Sequence, residues 1–103
     1  MSYAYKSYKK EKPIIESDIK KYEKLKAEIE SSDKDGPEVK RFKLDLLSKV
    51  GWRAYTSWFK DKMVFIRNGY FVMYLPNEWL KIVISKTYSK TLYNLKAILH
   101  VQT

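Results

Sequence analysis

Apolar positions in this chain follow two rhythms, and the switch between them marks out its elements. Ile15, Ile19, Tyr22, Leu25 and Ile29 fall at steps of three and four, which puts them on one face of a helix. Lys20, Glu23, Lys24 and Glu28 occupy the other side. That apolar stripe is too narrow for the helix to stand alone, so it must lie against the rest of the chain or against a second copy of itself. The loop Ser31 to Gly36 is short enough to fold it back as an antiparallel neighbour of the next helix, which favours docking within the chain. Pro37 suits the first position of that next helix, with Asp35 or Gly36 as its cap and Glu38 in its first turn. Val39, Phe42, Leu46, Leu47 and Val50 form its buried face, and Gly51 ends it. A short helix follows, with Trp52, Tyr55, Trp58 and Phe59 on about one side.

The rhythm then changes. Met63 to Ile66 and Tyr70 to Leu75 are β-branched and aromatic runs, and Asn68-Gly69 between them is a strong hairpin signal, because a type I′ turn needs positive φ at both central residues. Pro76 stops the second strand, Asn77 caps a helix over Glu78 to Lys96, and Trp79, Ile82, Val83, Leu92 and Leu95 are its expected core face. Ile98 to Thr103 reads as a last short strand, with Leu99 and Val101 alternating with His100 and Gln102. The predicted architecture is α+β, with helices packed on a small two- to three-stranded sheet. Residues 1–13 read as a flexible basic tail, 14–36 as an extra amphipathic helix and loop, and 37–103 as the main domain. Trp58 is expected in the core, near Leu46, Phe71 and Val83.

Composition narrows the function. With 103 residues there is room for one domain. The net charge of +9 is unevenly spread, since residues 37–103 carry twelve Lys or Arg against four acids. A surface of this sign attracts phosphate backbones or acidic partners, although the same bias also serves solubility alone. Aromatic residues make up 16% of the chain, enough for some to face partners as well as the core. There is no Cys, hence no disulfide or thiolate metal site, and His100 has no second His to form a metal site with. The three glycines build neither a phosphate-cradling loop nor the Gly-x-x-Gly clamp of KH domains. The expectation is a non-enzyme without cofactor or metal. No apolar run spans a membrane and residues 1–12 lack the apolar core of a signal peptide, so the chain reads as cytoplasmic.

An ordered set of residues also carries a family likeness: Tyr55-Thr56-Ser57-Trp58-Phe59, the hairpin, Tyr74-Leu75-Pro76-Asn77-Glu78-Trp79, and Lys86-Thr87-Tyr88. Over residues 44–95 the chain resembles the N-terminal domain of the bacterial chromosomal replication initiator DnaA. The resemblance implies a KH-like α-α-β-β-α-β fold and a non-catalytic module of replication initiation. Such a module contacts the replicative helicase, regulators of initiation and other initiator copies, and binds single-stranded DNA weakly. It places Tyr55 and Trp79 at partner-contact positions. Ala54, preceded by Arg53, stands where the family often has an acid used in helicase contact, and Val39 stands near the family's self-association aromatic; both departures weaken the usual contacts. The helix beginning at Ile15 has no family counterpart, so the chain is either a stand-alone relative or a piece of a larger replication protein. Arg53, Lys60, Lys62 and Arg67 are the candidate phosphate contacts for single-stranded DNA, with Tyr55 or Tyr70 as stacking surfaces. The alternatives are a stand-alone basic nucleic-acid-binding module, or a structural protein that self-associates through the extra helix.

Overall fold

The computed structural model describes residues 17–102. The expected tail over 1–13 and Ile15 of the first stripe lie outside the described residues. Helix α1 spans 17–30 and the loop 31–36 turns the chain into α2, Pro37–Ala54. A π-helical turn, Tyr55–Phe59, leads to β1, Met63–Arg67. Then come β2, Tyr70–Leu75, helix α3, Glu78–Asn94, and β3, Ala97–Val101. The fold is α+β, and beyond α1 the order is the expected α-α-β-β-α-β. The sheet order is β1-β2-β3, with β1 antiparallel and β3 parallel to β2.

Local chemistry explains the joints. Gly36 takes the cap position of α2 and, having no side chain, makes no cap bond, while the neighbouring Asp35 pairs with Lys43 Nζ at 2.6 Å. Gly51 has φ +88°, a left-handed angle that breaks α2 where expected. The chain winds on at once, and Lys60 N donates to Tyr55 O at 2.8 Å, a bond across five residues. Asn68 and Gly69 have φ of 53° and 82°, as the type I′ hairpin requires. Asn77 Oδ1 accepts from Leu80 N at 2.8 Å and starts α3.

One core joins all elements. Leu25 and Ile29 of α1 are buried together with Val39, Phe42, Leu46 and Leu47 of α2, and with Tyr55, Phe59, Val64, Met73, Leu75, Ile84 and Leu92. Phe42 stacks on Phe71 with ring centroids 4.5 Å apart, and Phe59 meets Tyr88 edge-on at 5.5 Å. The first helix docks antiparallel to α2. Asp18, near its start, accepts from Trp52 Nε1 at 3.0 Å, and Glu30, at its end, offers its carbonyl to Lys40 Nζ at 2.9 Å. The division at residue 36 therefore separates segments of sequence that share one core.

Two expected core positions are corrected. Trp58 is partly buried at the margin, while Tyr55 and Phe59 fill the centre. The widened turn brings these two, four apart, onto one side and carries Trp58 off it. In α3 the inward face is Leu80, Ile84, Tyr88 and Leu92 at steps of four, and Trp79 and Ile82 face outward. Apolar residues lie nearly all round this helix, so spacing alone did not pick the face.

Candidate interaction surfaces

Tyr55 is the clearest reversal. It was expected to present part of its ring to a partner, and it is 2% exposed. The π-helical turn aims it inward, and it lines a cavity of about 200 Å³ together with Leu25 and Ile29 of α1. Burial pushes the phenol well above its ordinary pKa, and the carboxylates of Asp35, Asp61 and Glu28 push the same way. It therefore offers neither a partner contact nor a stacking surface. Ala54 is partly buried beside it in sequence. Trp79, set on the core face by helical spacing and at a partner-contact position by the resemblance, is 65% exposed. It heads an outward stripe on the first part of α3 with Ile82, also exposed; the helix kinks at Tyr88 (φ −120°, ψ 16°), and Tyr93, 82% exposed, lies beyond that kink. Lys86 lies on the same side by helical spacing, and Glu78, four residues before Ile82, flanks the start of the stripe.

The four candidate phosphate contacts do not form one cluster. Arg53 lies over the Trp52 ring at 5.1 Å, opposite Lys21 at 4.3 Å. Lys60 pairs with Glu28 at 3.7 Å across to α1, in the open where such a pair contributes little. Lys62 and Arg67 sit at opposite ends of β1, roughly 17 Å apart at the rise of an extended strand. Arg67 belongs instead to the outer face of the sheet, where it reaches Tyr74 Oη at a long 3.4 Å.

That outer face went unread as a surface. All of the sheet's contribution to the core comes from its inner side, through Val64, Met73 and Leu75. The register places Met63, Phe65, Arg67, Tyr70, Val72, Tyr74, Ile98 and His100 on the other side. Val72 is buried yet separate from the core, flanked in register by Phe65 and Ile98. Tyr74 is held edge-on between Phe65 at 5.5 Å and His100 at 5.2 Å. Met63, Phe65, Tyr70 and Ile98 are each about half exposed. The alternation that would have revealed the face is present in sequence, but apolar residues on both sides of β1 and β2 masked which side was open.

A third surface is the free edge of β1. It borders a groove of about 700 Å³ closed on its far side by the loop 31–36 and the start of α2. No helix among the described residues is long and apolar enough to cross a membrane. Comparison with known protein families, with curated proteins and with solved structures finds no match.

Proposed function

We propose that this protein is a non-catalytic interaction module of DNA replication initiation, which docks a replicative helicase or an initiation regulator through the outward stripe of α3. The observation that carries this reading is the exposure of Trp79, a large aromatic held on a rigid, capped helix turn with Ile82 beside it. Trp and Tyr anchored on rigid elements are the residues that dominate binding energy at protein interfaces. The motif set around Pro76-Asn77 and the α-α-β-β-α-β order support the replication context. The burial of Tyr55 argues that contact runs through Trp79, Ile82 and Tyr93 without the second aromatic expected from the resemblance. Lys86 on the same stripe suits an acidic group on the partner. The test is binding of the purified protein to the replicative helicase and initiator of its own host by surface plasmon resonance. Trp79→Ala should weaken the complex tenfold or more, about 1.4 kcal/mol or above, with its melting temperature unchanged. No binding by the unmutated protein, or equal binding by the variant, overturns the reading.

A second reading has its own observation. The outer sheet face presents Phe65, Tyr70 and Tyr74 with Arg67 and His100, and residues 62–75 and 96–102 contain Lys62, Arg67 and Lys96 but no acid. Aromatic residues on an open sheet flanked by cations suit base stacking and phosphate contact with a single strand. Binding of an oligo-dT strand that weakens steeply with salt, and weakens again in Phe65→Ala, supports it.

A further inference from the structure

We infer that the free edge of β1 is a strand-addition site for an extended, acidic segment of a protein partner. This does not rest on α3, and it shares only Met63 and Phe65 with the outer sheet face. Among the described residues strand β1 pairs only with β2, so the backbone donors and acceptors along its other side have no sheet partner there. Its sequence, Met63-Val64-Phe65-Ile66, has no internal charge or proline of the kind that usually blunts an edge. Met63 and Phe65 on one face and Ile66 on the other are all exposed, so the strand shows apolar surface on both sides. Ile66 lies on the inner side by register and is exposed because α2 leaves this edge uncovered.

The groove of about 700 Å³ runs along that edge, with Gly36 and Val39 as part of its far wall. A strand laid there would extend the sheet and rest against α2. Main-chain bonds would supply affinity, and alternate side chains would meet the exposed apolar groups. The charge selects the occupant. Lys34, Lys43, Lys60 and Lys62 line the groove against Asp35 and Asp61, and Lys43 is already tied to Asp35. Lys34 and Lys62 take part in no ion pair among the described residues. A second copy is disfavoured. An antiparallel pair of β1 strands centred on Phe65 sets Lys62 opposite Asn68 of the other chain and Arg67 opposite Met63, so the seam brings no opposite charges together between two molecules of charge +9. An acidic strand meets Lys34 and Lys62 with opposite charge.

The probe is a fluorescein-labelled, N-acetylated eight-residue peptide of alternating valine and glutamate, titrated by anisotropy. Three controls share its length: one alternating valine and lysine, one N-methylated at two central residues so that both edges lose a donor, and an oligo-dT strand. The valine–glutamate peptide should bind at least tenfold more tightly than either peptide control and should slow hydrogen exchange of β1 amides. Ile66→Glu, at an exposed position, should weaken it tenfold or more with unchanged circular dichroism, whereas Trp79→Ala should leave it unchanged. Absence of binding, equal binding of the lysine or N-methylated peptide, or no protection of β1 overturns the inference. So does protection of the same amides by oligo-dT, which gives the groove to nucleic acid.

Discussion

Removing side-chain atoms from the seat of α1 tests whether this helix belongs to the domain or only rests on it. Leu25 is 7% exposed, so nearly its whole side chain leaves water on docking. Burying a leucine contributes about 1.5–3 kcal/mol relative to leaving it in solvent. Truncation to alanine adds a cavity term, and the observed range for such changes is about 2–5 kcal/mol. The low end applies here, because Leu25 sits on a helix with one free side that can settle toward the gap. We expect Leu25→Ala to cost about 2–3 kcal/mol, a fall in Tm of roughly 10 °C or more for a domain of this size. Ile19 on the same helix is 54% exposed and is the control, with Ile19→Ala expected within about 0.5 kcal/mol of neutral. The melt cannot lose more than the docking energy of α1, because a weakened helix can detach while the remainder stays folded. Hydrogen exchange separates the cases. Loss of protection in 17–30 alone, with α2 and the sheet unchanged, means local detachment, and faster exchange throughout means that α1 is part of the cooperative unit. A Leu25→Ala protein with unchanged Tm and unchanged exchange in α1 would refute the docking.

Three further outcomes follow from local geometry and burial. Gly51→Ala should destabilise by about 1–3 kcal/mol in a denaturant titration, because φ +88° with ψ 163° is a region open essentially to glycine alone, although no atom lies within 4 Å of a Cβ there. Asn77→Ala should cost about 1 kcal/mol through loss of the bond to Leu80 N, and Asn77→Ser should recover most of it. Tyr55 couples folding to alkaline pH. Its folded pKa is raised, so the unfolded chain loses this proton first, and the stability the neutral phenol provides is full below about pH 10 and falls as pH rises further, by up to about 1.4 kcal/mol per pH unit. Tyr55→Phe should flatten that alkaline fall relative to the unmutated protein in melts from pH 9 to 11.

Much of the fold was legible because several local signals agreed. Asn68-Gly69 specified the hairpin, Asn77 and Pro76 the start of α3, and Gly51 the break in α2, and each acts through backbone angles that few other residues adopt. The β1–β2 register follows from the turn, and the antiparallel return of α1 from a loop too short for much else, whereas the parallel pairing of β3 with β2 runs through α3 and had no local signal. What failed was the choice of face. In α3, Trp79, Leu80, Ile82, Val83 and Ile84 are nearly consecutive, so helical period alone left more than one inward side open. The sheet against which α3 packs selected Leu80 and Ile84, and that contact is non-local.

The surfaces failed for a related reason. Tyr55 was assigned to a partner because the Tyr55–Trp58 spacing matched a contact motif, but a motif carries spacing and not the path of the backbone. The π-helical turn shifts which residues share a side, and α1, which has no counterpart in the family resembled, supplies Leu25, Ile29 and Glu28 to cover the place where a partner would have met the ring. With α1 docked beside it, Tyr55 is a core residue. The same helix engages Lys60 through Glu28 and takes it from the basic patch that charge counting had assembled. What remains outside is what α1 does not reach: the stripe headed by Trp79, the outer face of the sheet, and the edge of β1. The surfaces open to partners are therefore fixed by where α1 docks, and the Leu25→Ala experiment bears on recognition as much as on stability.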